Sequence, residues 1–269
     1  MALRSAPPPP IGARKVLTPG TRADARVSLT ILGGFELRRG REMIVLPPSV
    51  ERVVAYVALH DGPAARMHVA GALWLDTPDD RAMANLRSAL WRLRRPGLRV
   101  IETSGEHLAL EPDVDVDAHQ LATAAHHLLD GRPASDRARF DCLASGGELL
   151  GDWYDDWVLV ERERFRQLRL QALERLTFAL VAAGQYGRAV EAALAAIASE
   201  PLRESSHRAL IAVHLAQGNQ SEAIRQYRSY RRLIREELDL EPSPQMDELM
   251  GALRPATSEA SEYATMMLA

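Results

Sequence analysis

The ordered part of the chain opens on an alternation of apolar and polar residues. Val27-Ser28-Leu29-Thr30-Ile31-Leu32 repeats with the period of two that sends successive side chains to opposite faces of a strand. The pattern continues past Gly33-Gly34 into Phe35-Glu36-Leu37 and turns at Arg39-Gly40 towards Met43-Ile44-Val45-Leu46, which predicts a small antiparallel sheet. The period then becomes helical. Pro47-Pro48-Ser49 stops the last strand and offers Ser49 as N-cap for a helix over 50–60, with Val53, Val54, Val57 and Ala58 on one stripe. A short second helix is expected over about 68–73. Residues 76–80 read as a turn with capping carboxylates, and a third helix over about 80–95 closes at Pro96-Gly97. Two short strands around Ser104-Gly105-Glu106 then make a hairpin. Sheet, three helices and hairpin, in that order, describe a winged helix.

From Val116 onward the apolar spacing is helical almost throughout. An offset of about 34 residues, the tetratricopeptide period, superposes Ala182 on Ala216, Gly184 on Gly218 and Ala189 on Ala223. Residues 118–130 and 136–143 are expected to form an earlier, degenerate pair, with Cys142 a small packing residue. The fold class predicted is mainly α with a small β component: an N-terminal winged helix-turn-helix followed by an all-α tetratricopeptide-like repeat domain. The expected division is a disordered tail over 1–26 with four consecutive prolines, a DNA-binding domain over 27–117, a helical domain over 118–254 and a second tail over 255–269. A fragment over 27–117 is expected to fold alone and bind DNA without stimulating transcription.

Composition narrows the functional classes. Hydrophobic residues at 46% and charged ones at 26% suit a folded soluble chain, and its apolar runs are too short to span a bilayer. With no secretory signal and a single cysteine, the expected location is the cytoplasm, with no membrane partner. An enzyme is not expected. His126-His127 with Asp152, Asp155 and Asp156 is the nearest approach to a metal or acid–base cluster, and the carboxylates are better read as helix caps. No cofactor is expected, and Lys15, the only lysine, cannot serve a phosphate-binding loop.

A net charge of -3 gives no hint of a nucleic-acid partner until the charges are located. Residues 81–99 hold six arginines and no acid. On the third helix Ala82, Leu86, Ala89, Leu90 and Leu93 form the apolar stripe. Arg81, Asn85, Ser88 and Arg92 are placed on the opposite side, flanked by Arg87, Trp91 and Arg95. Arginine pairs with guanine or phosphate and asparagine can read adenine, so this face is the expected DNA reader. Trp91 has a second reading as a cover for the core edge, and Asn85 as a cap on a neighbouring turn. Arg99 is expected to reach phosphate from the first wing strand, whereas Glu106 at the hairpin tip would repel it. Trp153, Tyr154 and Trp157 are read as packing a junction between early and late helices. The alternative function is a protein-interaction adaptor that uses the helical repeats and binds no DNA.

Taken together these residues resemble the Streptomyces antibiotic regulatory protein family, which joins an OmpR-type winged helix to a bacterial transcriptional activation domain. The resemblance is carried by residues 29–37, by Asn85-Leu86-Arg87-Ser88-Ala89-Leu90-Trp91-Arg92-Leu93-Arg94-Arg95, and by Glu148-Leu149-Leu150-Gly151-Asp152-Trp153 through Trp157 to Glu161-Arg162-Glu163-Arg164. It implies binding to direct repeats in double-stranded promoter DNA, as a homodimer on that DNA. It also implies recruitment of RNA polymerase, commonly to activate secondary-metabolite genes. The appended ATPase of larger relatives is not expected here.

Overall fold

A computed structural model describes residues 26–132, 141–144 and 146–251. Strands β1 (Val27–Thr30), β2 (Glu36–Arg39) and β3 (Glu42–Met43) make an antiparallel meander in which Leu29 and Leu37 oppose each other and are buried. The expected strand over 43–46 is cut short: Ile44 N–H donates to the Leu37 carbonyl (2.8 Å) and the chain then leaves the sheet. Pro47 and Pro48 explain this, because neither can donate to a ladder. Helix α1 (Pro48–Leu59) starts with Pro48 in its first turn, where a missing N–H costs nothing; Pro47 is the capping residue, so Ser49 is not the N-cap expected from the sequence.

The two-residue strand β4 (Ala64–Ala65), α2 (Arg66–Leu73) and α3 (Asp79–Leu93) follow, then β5 (Ile101–Ser104), β6 (His107–Leu110) and β7 (Asp115–Val116). β4 joins the β5–β6 hairpin as the sheet β4-β6-β5, and β7 returns parallel to β1 to give the order β3-β2-β1-β7. The winged helix-turn-helix is therefore complete, with two edge strands too short to leave a period in the sequence. Buried Val50, Val53, Val54 and Val57 of α1 pack with Leu86 and Leu108 in its core.

The rest is helical: α4 (Asp117–Leu129), α5 (Asp156–Ala182), α6 (Tyr186–Ser199), α7 (Glu204–Ala216), α8 (Gln220–Leu238) and α9 (Pro244–Gly251). The expected helix over 136–143 lies largely outside the described residues; residues 141–144 are helical, and Cys142 packs against the second core. The 34-residue offset corresponds to two hairpins, α5–α6 and α7–α8, each turning at a glycine with positive φ: Gly184 at +68° and Gly218 at +75°. The small residues Ala189, Ala193 and Ala196 of α6 are fully buried, which lets the helices approach closely.

The first core does not stop at residue 117. Leu149, Leu150 and Val158 belong to it, Gly33 N–H donates to the Glu148 carbonyl (2.8 Å), and Leu150 N–H donates to that of Ile31 (2.9 Å). Gly147 lies so close to Gly33 that a Cβ there would meet its backbone at 2.8 Å. Charged side chains reinforce this seam, beginning with Asp117 and Arg162. Asp117 accepts from the N–H groups of Ile31 and Leu32 (both 3.0 Å) and Ala118 (2.7 Å). Arg162 on α5 donates to the Leu149 (2.9 Å), Leu150 and Trp153 (2.7 Å) carbonyls. Trp153 stacks on Phe35 with centroids 5.9 Å apart, and Trp157 meets Tyr56 edge-on at 5.1 Å. These tryptophans therefore pack the helical part against the winged helix, not early helices against late ones. Tyr154 departs from the expectation altogether, being 81% exposed.

Candidate nucleic-acid interface

Helix α3 forms because an apolar stripe, an anionic first turn and a basic last turn all agree. Ala82, Leu86, Ala89 and Leu93 are buried, while Asp79 and Asp80 face the positive end of the helix. Pro78 is the capping residue and no side chain caps the helix, so the carboxylates act through charge alone, not as the caps expected from the sequence. Leu90 is a second correction: it sits half-buried at the edge of the stripe. α1 and α2 both pack against this face, leaving the other side of α3 uncovered.

Arg81, Arg87, Ser88, Trp91 and Arg92 are exposed on that uncovered side. Trp91 is 73% exposed, so it does not cover the core edge. Asn85 is half-buried and lies on the flank of the helix, not opposite the stripe. Among the described residues, no carboxylate lies within ion-pair range of Arg81, Arg87, Arg92 or Arg94. The contrast with α5 is clear, where Arg164 and Arg166 pair with Glu161 and Glu163 three residues earlier.

The remaining expected residues behave differently. α3 ends at Leu93, so Arg95 falls beyond the helix in a tight turn and donates to the Val45 carbonyl (2.9 Å). Arg99 precedes β5 instead of lying on it, and is ion-paired to Glu111 at 3.0 Å. Its charge is already partly answered. Glu106 is exposed at the hairpin tip, and its carbonyl accepts from Arg66 N–H (2.8 Å), which fixes the wing to the start of α2.

Between α3 and the wing lies a cleft of about 630 Å³ lined by Arg66, Arg87, Trp91, Arg94 and Arg99. Arg66 and Arg94 are the residues that helical rotation alone misses. Arg94 was visible in the arginine run, but only the termination of the helix at Leu93 turns it into the cleft. Arg66 comes from the other side of the turn, and its buried Nε has no hydrogen-bond partner among the described residues. A helix bearing cations and an aromatic ring, with a basic cleft beside it, has the dimensions and charge to enter a major groove about 12 Å wide.

The residues weighed as an acid–base cluster are not gathered. Asp155 pairs with Arg52 of α1, while His126 lines a groove between α4 and α5. Among the described residues no group of three histidine, cysteine or acidic side chains is placed to hold a metal. No helix among them is long and apolar enough to cross a membrane.

The family model for the bacterial transcriptional activator domain matches residues 112–254, more than half of the chain. Regulatory protein AfsR of Streptomyces griseus is 29% identical over 255 residues, covering 90% of this chain and 26% of the relative. AfsR of Streptomyces coelicolor is 28% identical over 235 residues, covering 84% of this chain and 24% of its own length. The chain thus spans about a quarter of the length of these curated relatives. Among solved structures, Mycobacterium tuberculosis EmbR, in complex with a low-affinity phosphopeptide, superposes with a TM-score of 0.65 at 19% identity, over 90% of this chain and 70% of that one. At that identity the likeness speaks for the fold. The winged helix, the helical part and the matched family model converge: the chain belongs to the bacterial transcriptional activator domain family, as a member of the Streptomyces antibiotic regulatory protein type.

Proposed function

We propose that the chain is a sequence-specific DNA-binding transcriptional activator that places α3 in the major groove of promoter DNA. The observation that carries this reading is the uncovered face of α3, where Arg81, Arg87 and Arg92 stand without carboxylate partners around Ser88 and the exposed Trp91. Unpaired, solvated guanidinium groups keep their full charge for phosphate and can pair bidentately with guanine. Arg66 and Arg94 extend the same field to the cleft beside the wing. Asn85 and Arg95 have secondary roles, because one is half-buried and the other is tied to Val45. Arg99 can reach phosphate only by sharing its charge with Glu111.

One short helix reads few base pairs, so two protomers on direct repeats about one helical turn apart supply the needed specificity. The helical part, from residue 118 to the region of residue 254, then presents a surface to RNA polymerase, and the resemblance to the Streptomyces antibiotic regulatory protein family points to secondary-metabolite genes as targets. The test is fluorescence anisotropy on duplexes from the chain's own upstream region. Arg87→Ala/Arg92→Ala should bind the preferred duplex at least about tenfold more weakly while keeping the wild-type circular dichroism. Undiminished binding by that folded variant overturns the assignment of α3.

A further inference from the structure

Helix α8 carries a second arginine-rich face, remote in sequence from α3 and packed, among the stronger contacts, on α7 alone, with α9 also resting on α7. Arg228, Arg231, Arg232 and Arg235 line one wall of a groove of about 1160 Å³ between α8 and the following chain, and Ile224 and Met250 supply apolar floor. One carboxylate already shows how this wall works. Glu241 pairs with both Arg231 (2.9 Å) and Arg235, so a single acid satisfies two guanidinium groups. Arg228 and Arg232, four residues apart and therefore on one side of the helix, are exposed and have no carboxylate within ion-pair range among the described residues. Two like charges at this spacing repel each other, and nothing in the fold requires them.

We propose that this groove is a docking site for an acidic, partly apolar peptide segment of another protein. Its carboxylates would pair with Arg228 and Arg232 as Glu241 does with their neighbours, while its apolar side chains would cover Ile224 and Met250. A duplex is the poorer fit. A phosphate rail would run on past the short basic wall towards the exposed carboxylates of Glu236 and Asp247, which line the same groove. A peptide can place its charges locally and end. The site is separate from the α3 face and does not depend on that face contacting DNA.

The test uses the full chain and a fluorescein-labelled peptide of roughly fifteen residues built from repeats of Asp-Glu-Leu-Leu-Glu. Anisotropy should show binding that weakens with salt. Arg228→Glu/Arg232→Glu, with unchanged circular dichroism, should weaken it by at least about tenfold, and a peptide with serine in place of leucine should also bind less well. Arg87→Ala/Arg92→Ala should bind the peptide like the wild type, which separates this site from the α3 face. Equal peptide binding by the α8 double variant overturns the proposal. So does concentration-dependent self-association that the same variant abolishes, which would put a second copy in the groove. Loss of affinity for random-sequence duplex without any peptide binding would assign the face to nucleic acid instead.

Discussion

Removing Arg162 should loosen the seam between the winged helix and the helical part more than any other single surface-to-seam change. Its guanidinium donates to the carbonyls of Leu149, Leu150 and Trp153, and its side chain is only 14% exposed. A hydrogen bond from a charged donor contributes about 1.5–3 kcal/mol net, so the three together cap the loss at about 9 kcal/mol. Water entering the vacated space will rehydrate part of the turn, and the pair with the largely exposed Glu148 adds little. A loss of about 3–5 kcal/mol is therefore expected for Arg162→Ala. With a urea slope of about 3 kcal/mol/M for a chain of this size, the unfolding midpoint should fall by about 1–1.7 M. Trp153 and Trp157 sit at the seam and report it by fluorescence. Arg162→Lys should recover less than half of the loss, because an ammonium cannot present the same planar fork. A midpoint shift below about 0.3 M with an unchanged slope would refute the view that this one side chain ties the turn to α5.

The shared core also revises the expectation for a fragment over 27–117. It lacks Leu149 and Leu150, each worth about 2–3 kcal/mol of burial, so it should show little near-ultraviolet circular dichroism instead of folding on its own. A sharply folded fragment would show the seam to be dispensable. On α3, Leu86→Ala should cost about 2–5 kcal/mol in chemical denaturation, while the half-buried Leu90→Ala should cost about 1–2 kcal/mol; the reverse order would contradict the stripe. His207 should make the protein acid-sensitive. Burial lowers its pKa, its Nε2–H donates to the Pro201 carbonyl (2.8 Å) and its Nδ1 accepts from Gln226 (2.7 Å), so the folded ring is held neutral. The unfolded chain takes up a proton near pH 6.5 and the folded one only below that, so stability is lost as pH falls through about 6.5. Thermal melts of His207→Gln should show a flatter profile between about pH 7 and 5. Glu174 acts in the same direction at lower pH. Burial raises its pKa, but hydrogen bonds from Arg203, Ser205 and Ser206 outweigh that and hold it lowered, so its contribution is present above about pH 4.5 and lost below it; Glu174→Gln should remove that part of the acid transition.

The sequence by itself determined whatever depends on local periodicity. The alternation over 27–32 placed β1, the stripe of Ala82, Leu86, Ala89 and Leu93 placed α3, and the 34-residue offset placed the hairpins that turn at Gly184 and Gly218, because each pattern reports which side of its own element is buried. The arginines between 81 and 99 marked the candidate face for the same reason: charge without acids needs no partner element to be seen. Tertiary structure decided what needs two distant segments at once. β4 and β7 have two residues each and exist only because β6 and β1 offer them ladders. Arg66 and Arg94 join the cleft because α2 and the end of α3 meet beside the wing, and Arg99 is partly neutralised because Glu111 lies across from it. Above all, Leu149, Leu150, Trp153 and Trp157 read as parts of a helical domain, yet they pack against the winged helix, since an apolar side chain records that it is buried and not which partner buries it.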